Sequence, residues 1–198
     1  HLQGYMDLIV DEIQSSTGFT EVRYAADGER DTPRLSLIST PTGKNNVLGL
    51  NASDVVLVTG GGKGIGAECA IALAKETGVQ LALLGRSDPE QDEGLSENLR
   101  RMEKLNIRYE YAIGDVTDKR SLESAVRRLT GKLGDITGVM HAAGRNEPCL
   151  LRDLTRDQLL VTIAPKVNGL QNLMEVLRPE HLKLLATFGS IIGEPGMQ

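Results

Sequence analysis

The residues best suited to chemistry lie in one short run. Val55–Thr59 (VVLVT) is an apolar stretch that leads into GGGKGIG, and a helical pattern follows. In such a strand–turn–helix the first glycine permits a tight turn, later ones let backbone approach a pyrophosphate, and the helix N-terminus attracts the anion. No Gly-Lys-Ser or Gly-Lys-Thr string is present to make a nucleoside-triphosphate loop. The run therefore reads as a dinucleotide site, in which Gly60, Gly61, Lys63, Gly64, Ile65 and Gly66 meet the cofactor.

The choice of cofactor is written about 20 residues further on, at the end of the next apolar run, where an Asp or Glu would hold the ribose hydroxyls of NAD. Here the chain has Gly85, Arg86 and Ser87. Gly85 presents no carboxylate to a 2′-phosphate, Arg86 and Ser87 can bind one, and Lys63 is a second cation in the glycine loop. NADP(H) is expected over NAD(H). Asp115 and Val116 end a third run, where a carboxylate can accept from the adenine amino group and the following backbone can touch the ring. His141 is followed by Ala142, Ala143 and Gly144, whose small size admits the ribose and nicotinamide side. His141 itself is expected to pack or to bond backbone.

Five strands must hold these segments: Val55 to Thr59, Gln80 to Leu84, Arg108 to Ile113, Ile136 to Met140 and Lys183 to Phe188. Between them fall apolar helix faces at Ile65, Cys69 and Leu73; at Leu95, Leu99 and Met102; at Leu122, Val126, Leu129 and Leu133; and at Val167, Leu170, Leu173, Met174 and Leu177. Strand and helix in alternation imply crossovers and a parallel sheet, the doubly wound α/β fold. The chain stops soon after the fifth strand, so the sheet is expected to lack its last strands. Upstream, residues 2–14 have amphipathic helix spacing, and 19–24 and 34–38 read as strands of a hairpin. Three segments result: 1–38, a helix plus hairpin; 39–53, a linker rich in Ser, Thr, Pro, Gly and Asn; and 54–198, an incomplete NADP-binding unit.

Composition narrows the class. Glycine makes up 22 of 198 residues, about 11% against ~7% in ordinary chains, and the excess sits in clusters rather than in a repeat. A net charge of −5 with 3% aromatic residues excludes a nucleic-acid partner, which needs surplus cations or stacking platforms. Cys69 and Cys149 form no Cys-x-x-Cys and the three histidines are scattered, so a metal site has no support and a reducing cytoplasm fits. There is no apolar run of membrane-spanning length and no signal-peptide pattern. Starting at His1 without Met, the chain reads as a piece of something longer.

Taken in order and spacing, TGGGKGIG, LLGRSD, GDVTD and HAAG resemble the short-chain dehydrogenase/reductase superfamily. APKVNG followed by TFGSIIG narrows the likeness to ketoreductase domains of polyketide synthases, and HAAGRNEP with TGGGKGI is most similar to the enediyne-type iterative synthases. The hairpin region, VRYAADGERDTPRL, resembles the closing strands of the structural subdomain that precedes such reductases. The resemblance implies hydride transfer from NADPH to the β-keto group of a thioester carried on an acyl carrier domain, beside other domains of the synthase. It also implies a Lys, Ser, Tyr and Asn set. Lys166 matches the lysine, placed on the helix before the serine strand, and Ser190 matches the serine. The tyrosine would lie roughly a dozen residues past Ser190 and the asparagine a helical turn later, both beyond Gln198, so this chain is expected to hold half of an active site and to be inactive alone. After HAAG the chain reads Arg145-Asn146-Glu147-Pro148, where many such reductases have Leu-Asp-Asp, so no alcohol configuration follows. A non-catalytic dinucleotide-binding or scaffolding domain is the competing reading.

Overall fold

A computed structural model describes residues 2–18, 20–34, 36–37 and 48–190. The chain divides into two compact units, His1–Lys44 and Asn45–Gln198.

In the first unit, α1 (Leu2–Ser15) precedes a small antiparallel pair, β1 (Arg23–Tyr24) and β2 (Arg30–Asp31). Glu12 ties the helix to the pair: its carboxylate accepts from Arg30 Nε at 2.8 Å and from the Tyr24 hydroxyl at 2.8 Å. Arg30 and then Tyr24 hold the Glu12 carboxyl down at about 2. A hairpin was expected, but its second strand lies earlier than the 34–38 expectation. The reason is the tight turn at 25–28, where Gly28 N–H donates to Ala25 O and Ala25 N–H to Glu29 O, so the chain pairs with itself at once. Phe19, Leu35 and Ile38 of the expected strands, and 39–47 of the expected linker, lie outside the described residues.

The second unit is built on five parallel strands: β3 (Val55–Thr59), β4 (Gln80–Gly85), β5 (Tyr109–Ile113), β6 (Ile136–His141) and β7 (Leu184–Thr187), in the order β5-β4-β3-β6-β7. The helices are α2 (Gly64–Thr77), α3 (Glu93–Lys104), α4 (Lys119–Leu133), α5 (Arg156–Ile163) and α6 (Val167–Val176). Alternating side chains of one strand go to opposite faces. Val55, Leu57, Ala82, Leu84 and Val139 pack against α4 and α6, whereas Val56, Val58, Leu81, Leu83 and Met140 pack against α2 and α3. Both faces are covered, which is why VVLVT is apolar throughout and every residue of β3 is buried. This is the expected doubly wound α/β architecture, and all five expected strands form within a residue or so of their bounds.

Two helix readings need correction. On α2 the buried residues are Gly66, Ala67, Ala70, Ile71 and Ala74, while Ile65 is 74% exposed and Cys69 and Leu73 are only part-buried. Small side chains bring this helix close to the sheet and move the larger ones to its flank. Helix α5 was not anticipated. None of its residues is buried, Leu159, Leu160, Val161 and Ile163 included, and Thr155 and Gln158 cap it reciprocally.

At the N-terminal edge of the sheet, the buried carboxylate of Asp54 accepts from Asn51 N–H, the Thr137 hydroxyl and Lys183 Nζ, at 2.9, 2.8 and 2.8 Å. Burial opposes its ionisation, and these three donors outweigh that, leaving the pKa below its ordinary value. The starts of β3, β6 and β7 are thereby joined.

Candidate active site

Strand order reverses between β3, which continues to β4, and β6, which continues to β7. The C-terminal ends of β3 and β6 diverge into loops there, leaving a crevice. A cleft of about 420 Å³ occupies the position. Of the residues expected at a cofactor, Gly60, Lys63, Arg86, Ser87, Asp115, Val116, Ala142, Ala143 and Gly144 line it. Gly61, Gly64, Ile65 and Gly66 do not. Gly61 and Gly66 are tightly packed: a Cβ on Gly61 would lie 2.3 Å from Val58 Cγ1, and one on Gly66 would lie 3.0 Å from Ala142 Cβ.

The glycine loop shows why its residue types are needed. Gly60 has φ +68°, and a Cβ there would stand 2.9 Å from the backbone of Ala143, so the loop after β3 and the loop after β6 touch through a hydrogen atom. Gly64 opens α2 at φ +59° with nothing within 4 Å of where a Cβ would be. Lys63 is the N-cap of α2 and, having no acceptor, makes no side-chain cap to the first N–H groups of this 14-residue helix.

Opposite the loop, Gly85 is held small by Tyr111, whose hydroxyl would lie 2.9 Å from an added Cβ. That hydroxyl donates to Ser87 O at 2.7 Å, and burial pushes the phenol up to about 12. Tyr111 thus shapes the segment 85–87, a role invisible to local motif reading. Arg86 is exposed and forms no ion pair among the described residues. Lys63 is not similarly available, because its ammonium pairs with Asp92. Asp115 closes a turn on itself, its Oδ1 accepting from Thr117 N–H at 2.8 Å and from the Thr117 hydroxyl at 2.7 Å. Val116 is buried against Gly169, and its carbonyl accepts from Asn172 Nδ2 at 2.9 Å.

Lys166 is the N-cap of α6, in the turn that follows α5, at the start of the helix that precedes β7. Its Nζ donates to Phe188 O at 3.1 Å, two residues before Ser190, and a Cβ on Gly144 would lie 3.6 Å from the same nitrogen. Lys166, the end of β7 and the HAAG loop therefore meet at one side of the cleft. Beneath them His141 is buried, and its Nε2 lies 2.9 Å from Pro165 O, its Nδ1 2.7 Å from Thr59 Oγ1. The histidine bonds backbone, as its sequence context suggested.

The KR domain family matches residues 54–198. This chain belongs to that family. KR domains are short-chain dehydrogenase/reductases, and the parallel sheet seen here is theirs. The KR chain is 33% identical over 150 residues to the polyketide synthase PksM of Bacillus subtilis, covering 74% of this chain and 4% of that protein. It is 34% identical over 144 residues to the erythronolide synthase EryA3 of Saccharopolyspora erythraea, covering 72% of this chain and 4% of that protein. It spans only a few per cent of the length of such relatives. Among solved structures, an N-terminal ketoreductase from the macrolactin assembly line aligns with a TM-score of 0.61 at 26% identity, over 79% of this chain and 30% of that one. Family and fold imply a nicotinamide dinucleotide cofactor, and the residues fit one: a helix start without a side-chain cap, an open position beside Gly64 and a cleft at the strand-order reversal.

Proposed function

We propose that this chain is the β-ketoacyl reductase segment of a polyketide synthase, uses NADP(H), and acts on a thioester presented by an acyl carrier domain beside other domains of the synthase. The observation that carries the reading is the hydrogen bond from Lys166 Nζ to Phe188 O, two residues before Ser190, made beside Gly144 of the cleft lining. The free thiols of Cys69 and Cys149 agree with a cytoplasmic synthase.

When bound, the reduced nicotinamide supplies the hydride. The chain's own residues serve the other needs of the reaction. Arg86 and Ser87 lie where a 2′-phosphate would be bound, and Gly60, Ala142, Ala143 and Gly144 leave room for the ribose and nicotinamide. Ser190 would hydrogen-bond the substrate carbonyl oxygen, and Lys166, as an ammonium, would lower the pKa of a tyrosine proton donor. Neither tyrosine of this unit serves as that donor: the Tyr109 hydroxyl donates to Glu103 and the Tyr111 hydroxyl to Ser87 O. The reading assigns the proton donation to a tyrosine other than these two.

Titration of NADPH and NADH against the chain and its Arg86→Ala variant tests the reading. A charge-assisted contact from Arg86 to the phosphate is worth about 1.5–3 kcal/mol, so the variant should lose ten- to a hundredfold in NADPH affinity and little in NADH affinity. Equal affinity of the unmodified chain for both cofactors would refute NADP(H).

A further inference from the structure

An internal anion stands beside the cleft, paired with one of its lining residues. Asp92 precedes α3 and caps it, Oδ1 accepting from Leu95 N–H at 3.1 Å, while Oδ2 pairs with Lys63 Nζ. The same ammonium lies 3.4 Å from the Ser87 hydroxyl, and Lys63 and Ser87 both line the cleft. Lys63 first, then Leu95 N–H and the Ser87 hydroxyl, hold the Asp92 carboxyl at about 2. Two of the three groups assigned to a 2′-phosphate are thus gathered around an internal carboxylate.

We propose that Asp92 is a specificity-determining residue: its carboxylate competes with the cofactor's 2′-phosphate for Lys63 and Ser87 and thereby limits discrimination between NADP(H) and NAD(H). The proposal rests on the NADP reading and adds to it a built-in competitor. Lys63 and Asp92 cancel one another in charge, which leaves Arg86 as the uncompensated cation at this end. The two partners differ in freedom. Asp92 is fixed by its cap and its side chain is 23% exposed, whereas that of Lys63 is 51% exposed on a flexible stem. Phosphate binding then requires the ammonium to leave the carboxylate or to share it, with a like charge remaining a few ångströms from the phosphate. NAD(H), lacking that phosphate, meets neither cost.

Asp92→Asn separates charge from structure, since Asn retains the oxygen that caps α3. NADPH and NADH are titrated by fluorescence against the unmodified chain, D92N, K63M and the double variant, with thermal melting as a check that each is folded. Removing a like charge at this range should tighten NADPH about three- to tenfold and leave NADH within about twofold, and the gain should shrink in high salt. K63M, which strands the carboxylate beside the phosphate, should weaken NADPH more than the double variant does. Unchanged or weaker NADPH binding by D92N would overturn the proposal and make Asp92 a mere holder of Lys63. Equal NADPH and NADH affinity of the unmodified chain would instead remove the NADP reading, while a D92N chain that then favours NADPH would still uphold the competitor.

Discussion

His141 Nε2 lies 2.9 Å from Pro165 O and fastens the end of β6 to the turn that carries Lys166. A carbonyl only accepts, so Nε2 bears the proton, and burial lowers the imidazole pKa and keeps the ring neutral. Nδ1 then accepts from the Thr59 hydroxyl at 2.7 Å, and that oxygen in turn accepts from Ala143 N–H at 3.4 Å. One chain of hydrogen bonds joins the HAAG loop, the end of β3 and the lysine turn.

This arrangement predicts a pH-dependent stability. The folded-state pKa of His141 lies below its reference of 6.5, so the unfolded chain binds more protons in that window and stability falls as pH drops below about 6.5. His141→Leu should cost about 1–3 kcal/mol at neutral pH by leaving Thr59 and Pro165 without their partner. Urea unfolding of both proteins between pH 5 and 7.5 should show the gap narrowing toward acid; a constant gap would contradict the neutral, buried ring.

Gly60 and Gly64 should respond differently to alanine. Gly60→Ala puts a Cβ 2.9 Å from the Ala143 backbone at φ +68°, so it should destabilise the fold and lower the melting temperature. Gly64→Ala meets open space, and its cost is confined to the left-handed φ of +59°, about 1–2 kcal/mol. It should remain folded yet bind dinucleotide more weakly, because the new methyl group enters the approach to α2. Melting curves and cofactor titration on both variants check the contrast.

Asp54 supplies an acid-sensitive anchor. Its folded pKa is lower than 3.8, so its stabilisation is complete above that value and is lost as pH falls through the lowered one. Asp54→Asn should cost about 1–3 kcal/mol at pH 7, where the charge-assisted bond to Lys183 is removed, and progressively less in strong acid. Denaturant midpoints at pH 7 and near pH 3 give the comparison.

The strands were legible because the central ones are buried on both faces and read as unbroken apolar runs; Val55–Thr59 needed no partner information. The glycine loop was legible because its conformation demands glycine. Contacts between distant segments were not: Asp92 looks like an ordinary cap, and only the approach of α3 to the loop brings it to Lys63, 29 residues away in sequence. Tyr111 likewise reads as a strand residue, while its hydroxyl props the Ser87 carbonyl. The TRDQ string at 155–158 carried the capping signal for α5, but its apolar residues, Leu159, Leu160, Val161 and Ile163, are spread around the helix rather than set on one face.

The proposed reductase chemistry is tested in a longer polypeptide that includes this segment. Lys166 Nζ is held by the Phe188 carbonyl beside the strand end that leads to Ser190, so the proposed roles of these two residues differ. Lys166 acts through the pKa of a proton donor; Lys166→Ala should therefore lower kcat more than it raises KM, because without the ammonium the donor is a weaker acid, and the alkaline limb of the kcat profile should move to higher pH, where that donor now deprotonates. Ser190 acts on the developing charge of the carbonyl oxygen; Ser190→Ala should add about 2.7–4 kcal/mol to the barrier across the whole pH range. The assay is NADPH oxidation with a simple β-ketoacyl thioester, alongside NADPH titration to show that both variants still bind cofactor. Unchanged turnover in Lys166→Ala would remove that lysine from the mechanism, and full turnover by the 198-residue chain alone would mean that one of its own groups supplies the proton.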